Sequence, residues 1–414
     1  MGRGAVANLA TPNAGLNGTW VTFAVMTVRT EIHVMRSVYL DNAASAPLRP
    51  EVREAMIAHL GADDGNPSSA HGWGRRARAA LDDARDRLAA TLGAEPPEIV
   101  FTRGGTEADN LAVFGRAAAA GGAPVVCSGV EHPAVRDAVQ SLTQRGIATH
   151  QLPVNGDGVT EAAALEPLLP LKLGLVSVMW ANNETGALQP IEHLAARCDD
   201  AGTCFHSDAV QAFGRVPIRV DETPVALLSL SAHKIGGPRG VGALFVRRGT
   251  GVEPLLRGGS QESGLRPGTE DVTGAVGFAL AAELGVQERE AEATRLAALR
   301  DRLEAGLRAA TPELVVLAAG AERLPHVCQV ALCGAQREAL LVALDLEGVA
   351  VSAGSACATG AARPSHVHRA MGVADDVAAG AIRFSLGHAT TDDEVELAIA
   401  AWKRVVERIA AVAA

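Results

Sequence analysis

The chain of 414 residues is poor in lysine: only Lys172, Lys234 and Lys403 occur, and every other basic residue is arginine. Arginine covers plain positive charge here, and its guanidinium stays protonated and cannot form a Schiff base. Lys234, in SLSAHKIGGPRGVGALFV (229–246), is therefore either a solvated turn lysine or a reactive amine. Cysteine is sparse as well. Six residues (127, 198, 204, 328, 333 and 357) with no CxxC pair speak against a disulfide framework and a zinc site, so no metal is expected. They fit thiols in a reducing cytoplasm. No apolar run reaches the roughly 18 residues of a membrane span. The pattern GxxxxGK[ST] is missing, which excludes a nucleotide P-loop. Positive charge is in deficit: a net charge of −10 argues against a nucleic-acid or anionic-membrane surface.

What is present is a globular chain, 48% hydrophobic and 20% charged, long enough for two domains sharing a core. Residues 1–34 stand apart and read as a disordered extension, or as a start placed ahead of Met35. From Val38 onward, strands alternate with helices, the pattern of an α/β, mostly parallel sheet with helices on both faces. Leu81, Ala84, Leu88 and Leu92 predict an amphipathic helix over 75–92. EIVFT, PVVCS, LGLVSVMW (173–180), TCFHSD, VALLSL and GALFV predict strands, and Leu296, Leu299, Leu303 and Leu307 a helix over 288–310.

Each predicted strand ends in one kind of chemical group. Gly105 and Thr106 follow a strand at a helix start, which taken alone reads first as an ordinary N-cap, with Thr106 capping and Asp109 in the capping-box position, and otherwise as an anion cradle. His132 offers a ring or a helix cap, Asn183 an amide, Asp208 a carboxylate, Gln211 an amide and Lys234 an amine. Side by side, these strand ends would face one crevice. Pyridoxal 5'-phosphate asks for this set: a lysine for its aldehyde, a helix N-terminus for its phosphate and a carboxylate for its ring nitrogen.

The segments YLDNAASAP, GNPSSAHGWG, FTRGGTEADNLA, VEHPAV, WANNETG, HSDAVQ, SAHKIGGPRGVGALFVRR, GSQESGLRPGTED, SAGSAC and IRFSLGH, in this order, resemble the group I cysteine desulfurases, NifS/IscS-like members of aminotransferase class V. The resemblance covers about residues 38–410. It implies a pyridoxal-phosphate aminotransferase-like fold (fold type I). A segment 35–50 would pack with a small domain (281–414) that carries the cysteine loop, beside a large cofactor-binding domain (51–280). By the same resemblance, Lys234 holds the cofactor and moves the Cα proton, Asp208 pairs with the ring nitrogen, Gln211 and Asn183 bond the phenolic oxygen, and His132 stacks on the ring. Gly105, Thr106, Ser231 and His233 hold the phosphate, and Thr269 reaches the phosphate of a partner subunit in a homodimer. Arg383 binds the substrate carboxylate, Asn66 lies near the substrate, and Cys357 is the nucleophile.

The activity so implied converts L-cysteine to L-alanine, leaves a persulfide on Cys357, and passes its sulfur to an acceptor protein for iron–sulfur cluster assembly or tRNA thiolation. A selenocysteine lyase or another class V enzyme, and a non-catalytic sulfur-relay protein, are the alternatives. The sequence departs from the usual pattern at Ser45-Ala46, Gly237, Pro267, Ala353 and His388, and it lacks a long C-terminal tail for scaffold docking.

Overall fold

Strand Leu227–Ser231 is buried at all five positions, as are Val125–Ser128 and Phe205–Asp208. Strands apolar on both faces are covered by helices on both. The computed structural model describes residues 37–61, 65–354 and 365–413, and it arranges them accordingly. The sequence's N-terminal extension (1–34) and Cys357 lie outside the described residues.

The strands are β1 (Val38–Tyr39), β2 (Ile99–Thr102), β3 (Val125–Ser128), β4 (Thr149–Leu152), β5 (Leu175–Ser177), β6 (Phe205–Asp208), β7 (Leu227–Ser231), β8 (Gly242–Val246), β9 (Val315–Val316), β10 (Val327–Ala331), β11 (Val349–Ala350) and β12 (Ala381–Ser385). A seven-stranded sheet runs in the order β2-β8-β7-β6-β5-β3-β4. Only β8 is antiparallel to its neighbours, β2 and β7. Successive side chains alternate between the faces. Leu228 and Leu230 join a core with the helices Gly72–Leu92 and Ile191–Asp200, while Leu227 and Leu244 join another with Leu111 and Val135.

A three-stranded antiparallel sheet, β12-β10-β9, has its own core. Ile382 and Phe384 pack there with Trp402 of the C-terminal helix Asp392–Ala413. Val38 and Leu40 enter this second core too, and β1 pairs in parallel with β11.

The helix Val272–Ala310 joins the two cores and starts well before the 288 that the leucine spacing predicts. Its first turns place Ala275, Val276, Phe278 and Ala279 in the large core, whereas Leu296, Leu299, Leu303 and Leu307 enter the second. A helix covered all round by protein shows no polar stripe, so its first half carries no amphipathic period. The strand expected over 173–180 is paired as a ladder only over Leu175–Ser177, although Val178 N–H and Trp180 N–H still reach the carbonyls of His206 and Asp208.

Candidate active site

The C-terminal ends of β6 and β7 deliver Asp208 and Ser231 to one edge of the large sheet. A short 3-10 turn, Ala232–Lys234, follows β7 directly. The chain then reverses at Gly236, whose φ of +79° favours glycine and whose missing Cβ would stand 2.5 Å from Arg49 Cγ. Lys234 is thus held at the sheet edge, and the solvated-turn alternative does not apply. Its Nζ donates to the carbonyls of Ala43 (2.7 Å) and Ala44 (3.0 Å). Burial, reinforced by the Arg383 charge and opposed by Asp208 and Asp41, lowers its pKa to about 8. A buried ammonium is disfavoured against the neutral amine.

Asp208 accepts from Val210 N–H at 2.9 Å, and burial raises its pKa to about 6 against the pull of that bond and of Lys234. His132 caps the helix Pro133–Gln144, its Nδ1 accepting from Ala134 N–H at 3.1 Å. The capping reading of His132 holds, and the ring also reaches the cluster: a nitrogen of His132 and carboxylate oxygens of Asp109 and Asp208 lie within 4.8 Å of one another. Burial and the Lys234 charge lower the His132 pKa to about 4, so the ring is neutral at physiological pH.

The helix start expected to cradle an anion centres on Gly105. The helix begins at this residue, after Gly104 as N-cap, so the Thr106 capping reading is corrected: Thr106 lies inside the first turn, exposed. A Cβ at Gly105 would stand 2.7 Å from Val210 Cγ2 and 3.6 Å from Ser231 Cβ, so only glycine lets the backbone come this close. Ser231 Oγ is buried without a hydrogen-bond partner, and His233 shares a 3.3 Å contact between Nδ1 and Ser45 Oγ. An orphaned hydroxyl beside free helix N–H groups is a setting that suits a bound phosphate.

Over these groups lies the segment Asp41–Ser45. Besides Lys234, it receives Gln211 Nε2 on the Ala43 carbonyl (2.9 Å) and Arg383 on Asp41, where Nη2 meets Oδ1 at 2.8 Å. Arg383, on β12 and 2% exposed, also donates to the carbonyls of Asn183 and Gly354. Gly354 is the last described residue before the segment that carries Cys357. Gln211 and Arg383, expected to bind cofactor and substrate, thus both bond the chain's own N-terminal segment. Asn66 and Thr269 stand apart: both are exposed, and Asn66 Oδ1 accepts from Ser68 N–H in its own turn (2.8 Å).

Two participants were missed as site residues in the sequence. Asp41 gives no signal beyond its motif. Asp109 gives one: it falls in the buried stripe Gly105, Ala108, Asp109, Ala112, where an acid is out of place unless it has a task. The departure at Gly237 is accommodated, because Ala232 and Ala281 fill the space where a larger side chain would stand.

Comparison with known proteins identifies the family of the chain. The aminotransferase class-V family model matches residues 38–397. A cysteine desulfurase of Cereibacter sphaeroides is 47% identical over 380 residues, covering 91% of this chain and 97% of its own. Among solved structures, a NifS-like protein superposes with a TM-score of 0.85 at 34% identity, covering 90% of this chain and 99% of its own. SspA in complex with cysteine superposes with a TM-score of 0.75 at 31% identity, covering 84% and 99%.

Proposed function

The chain belongs to the aminotransferase class-V family and, within it, to the cysteine desulfurases, and on that premise we propose that it converts L-cysteine to L-alanine and carries the sulfur away on a thiol of its own. One observation carries this most directly: a partly buried lysine amine, its pKa lowered to about 8, stands at the sheet edge beside buried Asp208 and the Gly105–Ser231 cradle. The residues present fit pyridoxal 5'-phosphate. Lys234 would hold its aldehyde, Asp208 its ring nitrogen and His132 its ring face. Gly105, Thr106, Ser231 and His233 would hold its phosphate, and Asn183 and Gln211 its phenolic oxygen. Bound there, the cofactor supplies an electrophilic carbon and a ring that stores an electron pair.

The chain's own groups do the rest. Arg383 offers a buried guanidinium to the substrate carboxylate, with Asn183 bonded to it, and Asn66, exposed in its own turn, would have to approach as a further substrate contact; Arg383 already holds a carboxylate oxygen, that of Asp41. Lys234, half-neutral near pH 8, moves the proton at the substrate Cα. The Cys357 thiolate attacks the substrate Sγ. The S–S bond forms, the Cβ–Sγ bond breaks with its electrons left on the carbon fragment, and that fragment is protonated to alanine.

The sulfur then passes to an acceptor protein, either an iron–sulfur scaffold or a tRNA-thiolating enzyme. The division into a cofactor-binding part (51–280) and a smaller C-terminal part (281–414) is supported by the two separate cores. Thr269 is exposed on the 257–271 loop, which supports its serving a partner subunit's site in a homodimer. Among the described residues, no helix is long and apolar enough to cross a membrane; the cytoplasmic setting we propose rests on the sparse, unpaired cysteines.

The test is alanine release from L-cysteine by cofactor-loaded protein with a thiol reductant, wild type against Cys357→Ala. Alanine and sulfide from wild type, with neither from the variant, support the assignment. Equal activity of the two would point to a lyase that needs no thiol nucleophile, as a selenocysteine lyase does.

A further inference from the structure

Building on the reading that Asp208 faces a cofactor ring nitrogen, we propose that Asp109 is a positioning residue that keeps one proton beside Asp208, so that the two carboxyls together carry a single negative charge. Asp109 is 1% exposed, and its Oδ1 has no hydrogen-bond partner. Its carboxylate lies within 4.8 Å of that of Asp208. Two buried carboxylates this close do not both ionise, and one must hold a proton.

The surroundings decide which. Asp208 has the Val210 N–H at 2.9 Å and the Lys234 charge acting on it, both favouring its ionised form. Asp109 has no lysine or arginine partner among the described residues. His206 Nε2 is 3.8 Å from Oδ1 and belongs to a ring that burial keeps neutral.

Behind Asp109 the polar groups form a closed chain across the sheet. Ser177 Oγ meets His206 Nδ1 at 2.8 Å, and His206 Nε2 meets Ser229 Oγ at 3.0 Å. Ser229 also acts on the Asp109 carboxyl, favouring its ionised form. With Nε2 carrying the ring proton, this chain uses each hydroxyl once and supplies no net charge. Burial first, then repulsion from Asp208 and Glu131, hold the Asp109 acidity well above the ordinary carboxylate range, with Ser229 pulling the other way. The titratable groups facing it are Asp208, Glu131, His132 and His206, with Lys234 beyond Asp208. A lone negative charge on Asp208 then matches one protonated ring nitrogen, whereas a second buried charge would stand unpaired.

The test reads the proton directly. Infrared difference spectra of wild type against Asp109→Asn, near neutral pH, are expected to show loss of a protonated-carboxyl C=O stretch with the carboxylate bands intact. In Asp208→Asn the same stretch is expected to titrate away at a pH lower by about one unit or more. In pyridoxal-phosphate-loaded protein, Asp109→Asn leaves the pH midpoint of the cofactor's visible band unchanged. Loss of carboxylate bands instead, or a downward shift of that midpoint, overturns the proposal. Should Asp109→Asn not accumulate as folded protein, Ser229→Ala serves: losing the hydroxyl moves the C=O stretch to higher frequency, and an unmoved stretch overturns the proposal. The infrared arm is read on cofactor-free protein too. Failure of wild type to take up pyridoxal phosphate would therefore count against the desulfurase reading alone.

Discussion

Lys234 pairs its ammonium with two backbone carbonyls, a neutral partner set that leaves the charge only lightly held. Its folded pKa of about 8 lies below the ordinary lysine value of 10.5. The unfolded chain therefore binds more protons between those values. Stability of the cofactor-free protein should rise as pH climbs from about 8 to 10.5, by at most about 1.4 kcal/mol per unit for one proton. Urea denaturation across that range checks it, and Lys234→Met should flatten this part of the profile. Asp208 has the opposite sign. Its folded pKa of about 6 lies above the usual 3.8, so its contribution to stability falls as pH rises through that window.

Gly105→Ala is expected to abolish cofactor uptake, read from the visible band, because the new methyl meets Val210 Cγ2 at 2.7 Å where Ser231 and the helix start converge. At this scale the sequence revealed what rarity or motif marks: a lysine where arginine is the rule, an acid ending a strand. It concealed groups whose meaning is wholly spatial. Asp41 and the Ala43 and Ala44 carbonyls become site components only because the fold lays them over Lys234.

Among the elements, strands buried on both faces were legible from their unbroken apolar runs, and β7 and β8 fall close to where the sequence puts them. The helix Val272–Ala310 was half legible. Its leucine stripe is periodic, while the run Gly274–Ala279 is buried throughout and shows no face. Leu303→Ala, at a fully buried position in the second core, should cost about 2–5 kcal/mol in denaturant unfolding.

The 257–271 loop is anchored by a buried acid. Glu262 takes two bonds from Arg85 (2.8 and 2.6 Å) and one from the Phe101 N–H (2.8 Å). Arg85→Met leaves that carboxylate uncompensated, and a loss of about 3–5 kcal/mol is expected in the same assay. If the loop serves a partner subunit, the variant should also dissociate more readily on dilution in sedimentation velocity.

At the scale of the whole molecule, the class of fold and the strand-edge location of the site follow from alternation of elements, because chain reversals between parallel strands leave few topologies open. The second sheet's share in the site was not legible from pattern. It rests on contacts such as Asp41 with Arg383, 342 positions apart, which no local periodicity encodes.

That separation bears on how the protein is made. Asn42 and Ala43 are fixed by Ser385, and Asp41 by Arg383, on a strand near the C-terminus. A nascent chain can build the large sheet, with Lys234 in it, long before that strand leaves the ribosome, since domains fold from the N-terminal side as synthesis proceeds. The segment over the amine has its full set of anchors only when β12 arrives. A chain broken off before residue 381 would therefore hold the sheet and its lysine without the anchors that fix the covering segment, so the site is completed only by one of the last strands to be made.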